Sequence, residues 1–398
     1  MSTGALDGIK VLDVATMGAG PWIGSRLSDY GAELIKVEHP KRPDPFRDLG
    51  PESEQIPLWW KSDFRNHRTM TLDLKTPQGR DIALALAKDA DVMVENFRPG
   101  TLEGWGLGWE QLREVNPRLV MVRTTGWGQT GPYASRPGFG TLAEAASGFA
   151  HLNGWPGTPP TLPPLALGDQ ITSLLGAYAT MVALYERDRP SGSGKGQMID
   201  LAISEAVFSM IGVQAIVYDQ LGEVLTRRGN EWGRAAPRGV YQCKDGAWLA
   251  VASSTPSMFR NIVTSIRRPD LIDDPRFETA EKRSENREEL DRILQEWLSE
   301  RTRDEALDTL AGNSGVAPVH DAASLADDPH FAARGLIVEV DDPELGPARV
   351  ANVRPVLSRT PGRIRHLGKP HGSDTVAILE ELGYGRDEIE DLRAKGVV

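Results

Sequence analysis

The chain is 398 residues long, with 56 acidic against 45 basic residues and a formal net charge of −11. That length supports a large core and more than one domain, and that charge excludes a general affinity for nucleic acid while leaving room for local basic pockets. The single cysteine, Cys243, excludes an intrachain disulfide framework; with no run of about 18 apolar residues for a membrane span and no apolar secretory segment in residues 1–10, a cytoplasmic enzyme-sized protein is expected.

Residues 9–16 read as a buried strand. Met17-Gly18-Ala19-Gly20 reads as a tight loop, and Pro21 as the first position of a helix running to Tyr30. Gly31 ends that helix and residues 32–38 form the next strand. This strand–helix–strand unit starts a parallel sheet. Gly18, Gly20 and Gly24, with Glu38 closing the second strand, suggest a dinucleotide fingerprint. The spacing is G-x-G-x-x-x-G, however, and Pro21 removes an amide that a pyrophosphate would use. Close helix–strand packing, with room for some anionic ligand at the helix mouth, is the other reading of the same glycines.

An aromatic cluster, Trp59, Trp60 and Phe64, follows a Pro-, Arg- and Asp-rich loop. Residues 69–74 alternate as a strand, and Thr76-Pro77 opens a helix to Lys88. Residues 90–97 form a further parallel strand, broken by Arg98-Pro99-Gly100. Asn96, Phe97 and Arg98 therefore lie at a strand's carboxyl end, where ligands collect in open α/β sheets. A helix covers 109–115 and a strand 119–125. A glycine loop follows at 126–133, and a helix is expected to start near Leu142.

Residues 163–170 are Pro-rich and apolar, and they run into Leu174, Leu175, Tyr178, Met181, Val182 and Tyr185 at helical spacing. Asp169 is expected on the last non-helical or first helical position, where free amides and the helix dipole face a carboxylate. One reading is an N-cap. The other is a charged nucleophile at the mouth of a buried helix, because residues 171–185 show almost no polar face.

The turn 191–196 lacks the P-loop spacing and precedes a strand, so it is not a phosphate cradle. Residues 197–202 form a strand, followed by a helix to Gln220. From 226 the character changes. Arg227, Arg228, Arg234 and Arg238 crowd a loop, and strands at 240–243 and 247–251 flank a Lys244-Asp245-Gly246 turn. Helices are expected at 256–267, 280–299 and 303–311, then a short αβ unit at 316–328. Two strands, 336–340 and 348–350, and helices at 377–382 and 386–395 close the chain. The expected organisation is α/β, with residues 1–225 as a large domain, 226–328 as a small α+β domain, and 329–398 returning to the large one.

Several motifs occur together and in order: Leu6-Asp7-Gly8-Ile9-Lys10-Val11-Leu12-Asp13, Gly18-Ala19-Gly20-Pro21, Gly31-Ala32-Glu33-Leu34-Ile35-Lys36-Val37-Glu38, Leu72-Asp73-Leu74-Lys75, the run from Ala90 to Gly100, Asn116-Pro117-Arg118-Leu119, Gly126 to Tyr133, and Gly168-Asp169. The chain thereby resembles, almost end to end, the class III CoA-transferases, a group that also holds formyl-CoA transferase, carnitine CoA-transferase and α-methylacyl-CoA racemase. The resemblance implies a Rossmann-like large domain with an inserted small domain, and an interlocked homodimer. It implies that Asp169 attacks an acyl-CoA carbonyl, forms an aspartyl anhydride and then an aspartyl-CoA thioester, and passes CoA to an acceptor acid. Coenzyme A and its thioesters would be substrates, with no tightly bound cofactor. His39, Lys75 and Arg98 match the family's CoA-contacting positions, and Leu72, Leu74, Asn96 and Phe97 its adenine and pantetheine path; a glycine loop can turn its amides toward a developing oxyanion, and Gly18-Ala19 is one candidate. Phe139 and Gly140 are carried over as further CoA-binding positions. Two departures stand out: the transferases often carry Gln where this chain has Gly18, and some carry Arg where it has Gly104.

The racemase branch of the resemblance needs a histidine where this chain has Phe139, which cannot move a proton. A transferase is therefore expected over a racemase, and a nicotinamide-dependent dehydrogenase is expected less than either because no hydride site is visible. The loop 252–257, with its Ser and Thr hydroxyls, and Arg234 or Arg238 are candidates for holding a second carboxylate of a diacid such as succinate.

Overall fold

The structure, a computed structural model, describes residues 4–233, 235–253, 255–312 and 314–398. Arg234 and Ser254 of the expected carboxylate-binding segment lie outside the described residues. The chain folds as two compact units. One comprises Met1–His151, Thr161–Leu225 and Gly335–Val398; the other comprises Leu152–Pro160 and Thr226–Arg334.

The larger unit is built on β1 (Lys10–Asp13), β2 (Glu33–Glu38), β3 (His67–Thr71), β4 (Val92–Glu95), β5 (Val120–Thr125) and β6 (Met198–Ala202). They lie in the order β3-β2-β1-β4-β5-β6, and every neighbouring pair is parallel. This is the doubly wound order expected of the strand–helix alternation. Its direction reverses between β1 and β4, the place where such sheets open a crevice at the carboxyl ends of their strands. The central strands β1, β4 and β5 carry apolar runs because both faces of the sheet are covered, although Asp13, Lys36, Glu95 and Arg123 are buried within the sheet as well. Alternate residues serve the two faces: Leu12, Val37, Met70, Met93 and Met121 on one, Val11, Leu34, Val92, Val94, Val120 and Val122 on the other.

Seven helices of this unit matter here: α1 (Ala19–Ser28), α2 (Pro77–Lys88), α3 (Trp109–Val115), α4 (Gly140–Ala146), α5 (Leu167–Asp188), α6 (Ile203–Ile211) and α7 (Val213–Leu221). Helices α2 and α3 have the expected bounds, and the Thr76 hydroxyl caps α2 by accepting the Gly79 amide at 3.0 Å. Helix α1 starts at Ala19, ahead of the expected Pro21. Proline is tolerated there because first-turn amides have no intrahelical acceptor. Strand β3 ends at Thr71, short of the expected Leu74, because the Asp73 amide donates to the Val397 carbonyl (2.7 Å) rather than to a strand. The helix expected from 203 to 220 is broken at Gly212 into α6 and α7.

Helix α5 corrects the expectation that it is buried. Its buried face is made of small residues, Gly168, Thr172, Ser173, Gly176, Thr180 and Ala183 among them. A methyl group on Gly176 would lie 2.5 Å from Ile23 of α1, so only glycine lets the two helices approach there. The apolar residues that gave the helical spacing point the other way: Leu174, Tyr178, Val182 and Tyr185 are 58%, 68%, 50% and 70% exposed.

In the smaller unit, Arg238–Gln242, Trp248–Ala252 and Val316–Pro318 form an antiparallel sheet. Tyr241, Leu249, Val251, Phe259, Ile262, Leu290 and Leu294 share its core. The helix expected over 280–299 is two, Ala280–Glu285 and Arg287–Ser299. The Asn286 side chain donates to the Lys282 carbonyl at 2.9 Å where they meet. The chain closes, within the larger unit, with a hairpin, Ile337–Asp342 with Gly346–Ala351, and helices Thr375–Glu381 and Arg386–Ala394.

Candidate active site

The crevice is shaped by the loop between β1 and α1. Met17 has φ 66°, in the left-handed region that a non-glycine residue keeps only when its surroundings hold it. Asp44 supplies that hold: its carboxylate accepts the Met17 amide at 3.0 Å. Lys36 lies 3.0 Å from Asp44 and 3.5 Å from Asp13, all three being buried, and its ammonium donates to the Ala15 carbonyl. Burial pushes the Asp13 carboxyl up to about 6. From the end of β4, Asn96 accepts the Thr16 amide (2.8 Å) and donates to the Thr16 carbonyl (2.6 Å). Both of its amide functions therefore tie the strand ends together across the switch point.

Asp169 is the third residue of α5 and not its cap; the cap position is Ala166, which has no side-chain acceptor. The acceptor comes instead from α4. The Glu144 carboxylate, 2% exposed, accepts the Gly168 amide at 2.8 Å. Asp169 itself has no hydrogen-bond donor among the described residues. It lies between two glycines. A methyl group on Gly140 would sit 2.3 Å from its Oδ2, and one on Gly18 would sit 3.4 Å from its Cβ and 3.2 Å from the Trp22 ring. Gly18 caps α1 and Gly140 opens α4, so the N-terminal ends of α1, α4 and α5 converge on one carboxylate. Their dipoles and unpaired first-turn amides favour negative charge there. Burial first, and the Glu144 carboxylate second, push Asp169 up to about 6. Such a group is ionised at neutral pH yet poorly solvated and unblocked, which is what a carboxylate nucleophile requires. Ala19 is the first residue of α1, packed against Ala143 of α4. Phe139 is the cap residue of α4 and is 65% exposed.

A cavity of about 310 Å³ opens beyond β1, β2 and β3, and brings together His39, Leu72, Leu74, Lys75 and Phe97 of the expected residues. His39 Nε2 is 3.5 Å from Asp73, and burial and then Arg42 lower its pKa. Lys75 Nζ lies 5.5 Å from the centre of the Trp105 ring, which packs edge-on against Phe97. Asn96 is spent on Thr16, at the cavity's edge. Arg98 is exposed and does not line the cavity.

The sequence reading missed Glu144, Arg42, Trp105 and the Asp13–Lys36–Asp44 cluster. A lone carboxylate in the otherwise apolar run Ala143-Glu144-Ala145-Ala146 was the available signal for the first. Of the two readings of the glycine loop, close helix–strand packing holds and the dinucleotide fingerprint does not. Glu38, which would hold a ribose, is buried, with its carboxylate taken by Arg47 (2.7 and 2.8 Å) and the Asp44 amide (3.0 Å). Methyl groups on Gly20 and Gly24 would meet Ala15 at 2.6 Å and Leu34 at 2.4 Å, so these glycines serve close packing.

The sequence profile of CoA-transferase family III matches residues 6–375. A succinyl-CoA–D-citramalate CoA-transferase of Chloroflexus aurantiacus is 38% identical over 397 residues, covering 99% of this chain and 98% of the relative. The alpha subunit of a succinyl-CoA–L-malate CoA-transferase from the same organism is 39% identical over 398 residues, covering 99% and 92%. The crystal structure of a CaiB/BaiF family protein from Brucella suis superposes with a TM-score of 0.84 at 32% identity, covering 96% of this chain and 100% of that one. With a match of this extent in profile, sequence and fold, the chain belongs to CoA-transferase family III and is a CoA-transferase.

Proposed function

We propose that this enzyme moves CoA from an acyl-CoA thioester to a free carboxylate through covalent intermediates on Asp169. An Asp169 oxygen attacks the thioester carbonyl, the C–S bond breaks, and CoA leaves as the thiolate. The thiolate then attacks the aspartyl carbonyl of the mixed anhydride, releasing the donor acid and leaving an aspartyl-CoA thioester. The acceptor carboxylate attacks that thioester and expels the thiolate. Attack of the thiolate on the acceptor's side of the new anhydride gives the product thioester and frees Asp169. Each step passes through an oxyanion, for which the first-turn amides at Ala19 and Gly140 are the nearby donors. The single observation that carries this reading is the undonated Asp169 carboxylate between Gly18 and Gly140. The adjoining position is Phe139, which has no proton to move, so two-base racemisation has no support here.

Arg42 and Lys75 around the cavity supply the cations that an acidic protein needs for the CoA phosphates, with His39 beside them as a neutral hydrogen-bonding ring. Leu72, Leu74 and Phe97 supply apolar wall for the adenine and pantetheine. The relatives are named for succinyl-CoA with D-citramalate and with L-malate, and we extend such dicarboxylate substrates to this enzyme, with succinyl-CoA as donor and a dicarboxylate as acceptor. Arg238 is a candidate for the second carboxylate. We further propose a homodimer in which the exposed apolar face of α5 is covered by a second copy.

The test is incubation with succinyl-CoA and a panel of diacids and monoacids, with a hydroxylamine quench and mass spectrometry of protein and thioesters. A hydroxamate on the peptide carrying Asp169, absent from Asp169→Ala, supports the mechanism. Turnover by Asp169→Ala near the wild-type rate refutes it. Transfer to monoacids alone refutes the diacid class.

A further inference from the structure

Helix α5 begins at Leu167 behind a cap residue, Ala166, that has nothing to offer its first amides. A helix start buried without an acceptor is costly. Here the acceptor is a carboxylate reached from another helix: Glu144 Oε1 takes the Gly168 amide at 2.8 Å, and Glu144 is almost wholly buried. Gly168 immediately precedes Asp169. The contact is close on all sides, since a methyl group on Gly168 would lie 3.3 Å from Glu144 Cγ and Oε1 and 3.3 Å from the Gly140 carbonyl. A buried carboxylate brought next to a reactive carboxylate is electrostatically unfavourable, and a neutral side chain could accept the same bond. Resting on the reading of Asp169 as nucleophile, we infer that Glu144 is a positioning residue that caps the first turn of α5 from α4 and sets both the placement and the charge environment of Asp169.

Two effects follow from one side chain. The cap fixes the backbone on which the nucleophile stands. The charge opposes ionisation of Asp169 and so raises the energy of its carboxylate, which makes it a stronger nucleophile once formed. Other charged groups on the packed elements do not replace this effect: Arg26 of α1 is bonded to Gln170, and Glu205 of α6 is exposed. Glu144 is the one charged residue that acts on the Asp169 carboxyl among the described residues.

The experiment is kcat/KM for the acyl-CoA donor against pH, for the wild type, Glu144→Gln and Glu144→Ala, with the intact enzyme. Glu144→Gln retains an acceptor but loses the charge. Its acid limb is expected to move to lower pH by on the order of one unit. Glu144→Ala loses both, and kcat is expected to fall roughly ten- to a hundredfold with the KM for acyl-CoA little changed, because the nucleophile is displaced. Glutamine should rescue most of that loss at pH 8. An unmoved acid limb in Glu144→Gln overturns the inference, as does a wild-type profile in Glu144→Ala; should the alanine variant fail to fold, the glutamine profile decides alone. Asp169→Ala separates the two levels. If it is inactive, an unmoved profile in Glu144→Gln removes only the role of Glu144; if it is active, the nucleophile itself is misassigned.

Discussion

Gly140 lies so close to Asp169 that a methyl group on its Cα would stand 2.3 Å from Oδ2 of the carboxylate. Gly140 has no positive φ, so alanine strains nothing in its own backbone. The whole effect of Gly140→Ala falls on Asp169, which must rotate or shift. A displacement of about 1 Å at a nucleophile costs on the order of a hundredfold in rate. Gly140→Ala is therefore expected to keep its fold and acyl-CoA affinity while kcat drops about a hundredfold. Circular dichroism, CoA binding and steady-state kinetics check this together. Full activity would mean that the carboxylate does not work from this position.

The site should also cost stability. Asp169 is raised from 3.8 to about 6 in the folded chain. A carboxyl whose folded pKa lies above its unfolded value binds protons more readily when folded. Its ionised form therefore penalises folding above pH 6, by up to about 3 kcal/mol, and the penalty shrinks as pH falls toward the unfolded value. Asp169→Asn is expected to be inactive and more stable than the wild type at pH 8, with the difference narrowing toward pH 5. Thermal melts at the two pH values check it. A variant no more stable at pH 8 than at pH 5, relative to wild type, would show that converging helix ends already offset the burial.

The strand and helix order of the larger unit was legible because apolar runs, glycines and caps are local signals. Thr76-Pro77 placed α2 to the residue, since cap and proline act within one turn. Asp169 was legible as a helix-mouth carboxylate, but its place within the first turn was not. The cap that settles it belongs to Glu144, 24 residues away, and no local pattern encodes a cap supplied by another helix. The orientation of α5 was misread for a related reason. Spacing reveals an apolar stripe, but the small residues Gly176 and Thr180 decide which side faces the core, through the closeness of α1. The left-handed Met17 was invisible because it is held from a distance, by Asp44 and through it Lys36.

The cavity beyond β2 and β3 separates binding from chemistry. Lys75 lines it without an ion-pair partner among the described residues, near Trp105, while His39 faces Asp73 at 3.5 Å. If the CoA phosphates are met here, Lys75→Ala should raise the KM for acyl-CoA several-fold, since a charge-assisted hydrogen bond contributes roughly 1.5–3 kcal/mol when desolvated and less when wet. The kcat and the KM for the acceptor acid should hardly change, and the defect should shrink as salt screens the wild type. Measuring both KM values at low and high ionic strength checks this. An effect on the acceptor instead would move the CoA site elsewhere.

The outward face of α5 is the last point that can be tested directly. Leu174, Tyr178, Val182 and Tyr185 stand exposed along it, and α6 and α7 add Phe208, Met210, Val213, Ile216 and Leu221. Single exposed apolar residues need no explanation, but this many large ones on three helices exceed what a monomer ordinarily leaves in water. A second copy of the chain is the proposed cover, so sedimentation velocity of the wild type should give a dimer of about twice the chain mass. Val182→Asp places a charge among these residues and would bury it without a partner on association, a cost of several kcal/mol counted twice in a symmetric interface. It should shift the protein to monomer at micromolar concentration. Because α5 also carries Asp169, the monomer should lose activity in proportion to its population, and raising the protein concentration should restore it. A wild type that sediments as a monomer would remove the proposal, and a Val182→Asp variant that stays dimeric would place the contact on another face.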